Sequence, residues 1–129
     1  MANDAFAENL PAQCPPAGAE EGALSNVYRL VSSANPDLSC FASHKALGKS
    51  QPKEYRGSEC EWASCSLFSS PDKLLKIPGL RKRYQYVVRL DIPAKSGQHL
   101  AHKAHIHFWR YSGFDFISAI TEVEEHKLP

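Results

Sequence analysis

The pattern of apolar and polar positions divides the chain near Leu24. Residues 1–23 carry Pro11, Pro15, Pro16 and Gly18 among alanines and glutamates, with no run of large apolar side chains. Such a segment has too little apolar surface to offset its ordering entropy. The pattern therefore predicts a flexible leader over 1–23 and a single domain over 24–129. Val27 to Val31 form a first predicted strand, rich in β-formers and closed by Ser32 and Ser33. Asn35, Pro36 and Asp37 follow in the order of an N-cap, a first-turn proline and a first-turn acid, predicting a short helix to about Leu47 with Leu38 and Phe41 inward. The polar run from Lys49 to Gly57, which contains Pro52, is expected to be a loop.

From Ser58 to Phe68 the two periods compete. A helical turn is expected at Ser58–Ala63, and alternation of Ser64, Ser66 and Phe68 predicts a strand over Ser64–Phe68. Ser70, Pro71 and Asp72 repeat the helix-start signal, Leu74, Leu75 and Ile77 supply an apolar stripe, and Pro78 and Gly79 end it. Tyr84, Tyr86, Val88, Leu90 and Ile92 alternate cleanly, with Val87 on the opposite face, as expected of a central strand. Ala104–Arg110 is a further strand, with Ile106 and Phe108 on the core face and His105, His107 and Trp109 on the other. Phe114–Val123 is the next, joined to it by a tight hairpin at Tyr111, Ser112 and Gly113. These elements predict an α+β fold of about five mostly antiparallel strands with two or three short helices.

Composition narrows the function classes. Apolar residues make up 43% of the chain and charged residues 22%, which suits a packed core, and a net charge of +1 gives no global field toward nucleic acid or anionic lipid. The local basic patch of Lys76, Arg81, Lys82 and Arg83 lacks interleaved aromatics and is taken as a solvated turn, so no nucleic-acid partner is expected. No apolar run approaches the ~18 to 20 residues of a membrane span, and residues 1–23 have no basic n-region or apolar h-region. A cytoplasmic protein is expected, with Cys14, Cys40, Cys60 and Cys65 as thiols.

Candidate chemistry concentrates in His99, His102, His105 and His107. The i, i+2 spacing puts His105 and His107 on one strand face, next to Trp109, Arg110 and Tyr111, residue types enriched at interface hot spots. This predicts a small binding or accessory protein that presents the five residues to a protein partner. Two histidines fall short of the three protein ligands of a catalytic zinc site, and Cys60 and Cys65 with His44 form a lone C-x4-C without a second pair. No metal site is predicted; a metal-assisted hydrolase using the histidine run, with zinc as its cofactor, is the second alternative. The segment Ser64, Cys65, Ser66 lacks the glycines of a nucleophile elbow, and neither a phosphate loop nor an HExxH helix is present.

The first alternative comes from the order of three short motifs. Arg29 in the first strand, Ser64-Cys65-Ser66 in a later strand and Glu122-Val123-Glu124 near the C-terminus form an order that resembles the Arg, Ser-x-Ser, Glu-x-Glu order of arginine-type ADP-ribosyltransferases. The resemblance implies NAD as cofactor, bound by Arg29 and the Ser64–Ser66 strand. It further implies Glu124 as catalytic acid and Glu122 as the residue assisting attack by the acceptor.

Overall fold

The computed structural model describes residues 5–49, 51, 58–76 and 83–125. Its frame is one antiparallel sheet of strands β1 (Leu24–Val31), β2 (Cys65–Phe68), β3 (Tyr86–Ile92), β4 (Gly97–His102), β5 (His105–Arg110) and β6 (Ile120–Glu125), in the order β4-β5-β2-β1-β3-β6. The expected α+β fold is thereby corrected to a sheet-dominated one with six strands rather than five. The helices are single turns, α1 (Glu59–Trp62) and α2 (Pro71–Leu75), together with 3-10 turns at Leu38–Phe41 and Phe116–Ala119.

Each departure has a local cause. The N-cap is Asp37, accepting from Ser39 N, rather than the expected Asn35, and the extended Ala42 ends the turn at Leu38–Phe41. Ser43 then gives its N–H and its hydroxyl to the Glu8 carboxylate, at 3.1 and 2.6 Å, instead of continuing a helix to Leu47. The missed strand, β4, has the weak β-formers Gly97, Gln98 and His99 and is held by six cross-strand pairs with β5, from Gly97↔Arg110 to His102↔His105. The hairpin is therefore β4–β5, turning at Lys103 and Ala104; β5 and β6 lie four strand positions apart. Asp115 caps a 3-10 turn by accepting from Ile117 N at 2.9 Å, which delays the last strand to Ile120. Most of the polar run 49–57, and Ile77, Pro78, Gly79, Arg81 and Lys82 among the expected helix end and basic patch, lie outside the described residues.

Register sorts the side chains into two faces. Val27, Val31, Leu67, Val88, Leu90, Ile106 and Phe108 form the main core, closed by Phe41 and Phe116, whose rings stack with centroids 4.7 Å apart. The opposite face is covered too. Residues 5–23, expected to be flexible, lie docked along the β4–β5 end of the sheet: Ala7 N donates to Arg110 O at 2.9 Å, and Glu20 and His99 exchange both backbone bonds at 2.9 and 2.8 Å. Leu10 and Cys14 pack there against Ala63 and Trp109. A Cys14–Cys60 disulfide ties the segment down, so the expectation of four thiols is corrected; Cys40 and Cys65 are free. No helix among the described residues is long and apolar enough to cross a membrane.

Candidate functional site

β1 and β2 separate. β1 pairs with β3 at six positions, from Leu24↔Ile92 to Val31↔Tyr86, but with β2 only at Tyr28↔Phe68. Beyond that pair the sheet splits, and backbone groups in the gap need other partners. Arg29 supplies one: its Nη1 donates to Ser66 O of β2, while its Nε donates to Cys40 O of the 3-10 turn, both at 2.7 Å. The guanidinium thus occupies the split, 6.0 Å from the centre of the Phe41 ring.

Above the split lies a half-open cleft of about 310 Å³. Its floor is Ser66 and Phe68 of β2 with His105 and His107 of β5, which share a face because Ser66 pairs with His107 and Phe68 with His105. One wall is Glu61 and Trp62 of α1 with His44, whose ring stacks on Trp62 at 4.5 Å. The other is Leu30, Leu74, Arg83 and Tyr84. The wall holding Glu61 is fixed by its own sequence: Ser58 and Glu61 form a capping box, Ser58 Oγ accepting from Glu61 N at 3.1 Å and Glu61 Oε1 from Ser58 N at 3.0 Å.

The histidines on the floor are held neutral. Burial pushes the His105 pKa down to about 4, and neighbouring His107 adds to the effect. Burial also lowers that of His107, against the pull of the Glu61 carboxylate, and His102 assists the lowering. His105 Nε2 lies 3.0 Å from Ser66 Oγ, and the His105 ring stacks on Phe68 with centroids 4.8 Å apart and planes 2° apart. At neutral pH the cleft therefore presents two uncharged imidazoles between the guanidinium of Arg29 and the carboxylate of Glu61.

The family comparisons are silent. No protein-family model matches this chain, and no curated protein or solved structure does either.

The five residues expected to face a protein partner do not form an exposed surface. Trp109 is 1% exposed, lies under the leader and donates its indole N–H to Cys60 O at 2.9 Å. Tyr111 packs on Phe6 and donates to Glu21, and Arg110 donates to Phe114 O at 2.6 Å. Only His105 and His107 of that set reach the cleft. The four-histidine run also divides. His102, His105 and His107 share a face by register, whereas His99 pairs with Phe108 on the other face and is buried. Among the described residues no three His, Cys, Asp or Glu side chains converge as a metal-ligand set.

Of the residues in the three-motif order, Arg29 and Ser66 meet at the split. Ser64 sits two residues earlier in the chain, its Oγ 2.9 Å from His107 Nδ1. Glu122 and Glu124 do not join them: both are exposed on edge strand β6, Glu122 opposite Arg89 and Glu124 opposite Val87, with β3 between them and β1. At ~4.8 Å per strand, β6 is about 14 Å from β2, beyond the reach of a glutamate side chain. The acid that does line the cleft is Glu61, which the sequence marked only as part of a helical turn. Its signal was the Ser58-x-x-Glu61 capping box before an apolar strand.

Proposed function

We propose that this chain binds an NAD-type dinucleotide in the cleft at the β1–β2 split and acts on it as an ADP-ribosyl-transferring or NAD-hydrolysing enzyme. The observation that carries the proposal is the meeting of Arg29 with Ser66. Two residues far apart in sequence, singled out by motif order, are joined beneath the cleft by a 2.7 Å hydrogen bond from the Arg29 guanidinium to the backbone oxygen of Ser66.

The lining suits that ligand class. The stacked pairs Trp62–His44 and Phe68–His105, with Tyr84, give the cleft flat aromatic walls against which a nicotinamide or adenine ring would pack, while Arg29 and Arg83 supply positive charge for the pyrophosphate. Among the described residues, the Arg29 guanidinium makes two hydrogen bonds, leaving donors for a phosphate oxygen. A cleft at the lower end of the usual ~300 to 1,000 Å³ range takes one nucleoside half, with the remainder lying along the open side. The carboxylate assignment implied by the motif order is replaced, since Glu61 rather than Glu122 or Glu124 faces the ligand space. The Cys14–Cys60 disulfide favours an oxidising compartment over the cytoplasm.

The test is thermal unfolding of the full chain with NAD, ADP-ribose and nicotinamide. Saturating NAD should stabilise the fold by about 2.7 kcal/mol at a hundredfold excess over Kd. Arg83→Ala, at an exposed position, should weaken this effect, and Glu124→Gln should leave it unchanged. An unfolding temperature that ignores NAD and ADP-ribose at millimolar concentration removes the proposal.

A further inference from the structure

Ser64 has one hydroxyl proton and two contacts. Its Oγ lies 2.7 Å from the backbone oxygen of Glu61, which can only accept, so the proton is committed there. The 2.9 Å contact between Ser64 Oγ and His107 Nδ1 must then be donated by the ring. Neutral His107 is therefore the Nδ1–H tautomer, and its Nε2 carries the lone pair.

That lone pair faces the cleft. Nε2 is 3.6 Å from Glu61 Oε2, and both residues line the same space. Glu61 is itself anchored through Oε1 on Ser58 N, so Oε2 is the oxygen left to face the ring. A lone pair opposite a carboxylate is a poor contact until a proton arrives, when Nε2–H can donate to Oε2. His107 is 8% exposed, with its ring 4.3 Å from that of His105 and 6.2 Å from that of Trp109.

We infer that His107 is the general base of the cleft, that Ser64 is the positioning residue that sets its tautomer, and that Glu61 stabilises the imidazolium formed. Its substrate rests on the dinucleotide reading above. A water held by Nε2 attacks the anomeric carbon of the nicotinamide ribose. The new O–C bond forms as the glycosidic C–N bond breaks, and the bonding pair returns to the pyridinium nitrogen, so nicotinamide leaves neutral. The proton of water passes to His107 Nε2, giving ADP-ribose and one proton for later release to solvent. An acceptor hydroxyl in place of water gives transfer by the same step.

Besides burial, Glu61 from α1 and His102 from β4 act on the proton affinity of His107, and His105, Arg29, His44, Arg83 and Tyr84 are the other titratable groups that line the cleft. Burial keeps the ring unprotonated near neutrality, with Glu61 opposing that effect.

The experiment combines nitrogen-15 spectra of the histidine rings in the full chain with nicotinamide release from NAD between about pH 5 and 9. The wild type should show His107 as the Nδ1–H tautomer, and Ser64→Ala should move it toward Nε2–H. His107→Gln should keep the thermal stabilisation by NAD and lose at least ~100-fold in hydrolysis, the scale of a positioned base. Glu61→Gln, which preserves the capping box, should shift the acidic limb of the pH profile to lower pH. An Nε2–H tautomer in the wild type, or a tautomer left unchanged by Ser64→Ala, overturns the inference even where His107→Gln fails to fold. Stabilisation by NAD without any nicotinamide release overturns the base and leaves the dinucleotide reading standing. No stabilisation overturns that reading and, with it, the reaction given to His107.

Discussion

Trp109 donates its indole N–H to the carbonyl oxygen of Cys60, 2.9 Å away, at the residue whose sulfur is joined to Cys14. One short turn of chain thus holds both the leader and the far face of β5. Leu10, 6% exposed, and Ala63, 3% exposed, complete this second small core. It joins segments 46 residues apart in the chain, and the disulfide links them directly.

Cleaving that bond should therefore be felt by the whole fold. Cys14→Ser is expected to cost ~2 to 4 kcal/mol through the larger unfolded ensemble. Calorimetry with and without reductant measures it. Alkylation under unfolding conditions should modify the two free cysteines without reductant and all four with it. Four modified residues without reductant would show that the leader is not covalently held.

Gly97 in β4 is packed directly against the β5 backbone. A Cβ added there would collide with the backbone oxygen of Trp109 and come within 2.8 Å of Phe108 Cζ. Backbone cannot yield as a flexible side chain can. Gly97→Ala is expected to destabilise by about 2 to 3 kcal/mol, read from urea unfolding, while Gly113→Ala, with open space around it, should change little.

His105 makes stability depend on pH. Its folded pKa of about 4 lies below the ordinary 6.5, so between those values the unfolded chain binds more protons than the native one. The stability linked to this ring is fully present above pH ~6.5 and is lost as pH falls toward ~4. The lowered pKa of His107 adds in the same direction. Unfolding temperature should fall across this window, and His105→Gln should flatten the fall. A wild-type profile without slope there would mean that the rings are solvated.

Phe108→Ala should cost ~3 to 5 kcal/mol by opening a cavity beside Phe114 and Phe116, whose rings lie 6.1 and 5.5 Å away. His107→Ala should also be destabilising, by about 1 to 2 kcal/mol, because the ring is buried and bonded to Ser64. Equilibrium denaturation compares the two.

What the sequence by itself determined lies within single strands and turns. Alternation placed Ile106 and Phe108 on one face of β5 and His105, His107 and Trp109 on the other, because a strand's side chains have a period of two whatever covers them. The capping residues Asp37, Ser58 and Asp115 each stop or start a turn through hydrogen bonds that span only two or three residues. Only the tertiary structure decided what lies beside what. Strand order is fixed by long-range pairing whose backbone bonds carry no side-chain signature, so it set β6 with Glu122 and Glu124 at the edge away from β2, and it made a strand of Gly97–His102. The same order split β1 from β2 and brought Arg29 to Ser66, 37 residues on, where the guanidinium donates to a carbonyl oxygen of β2. The leader docks on the sheet for a related reason. Its few apolar side chains could not hold it alone, but the exposed edge of β4 offers backbone partners, and Cys60 stands where Cys14 can reach it.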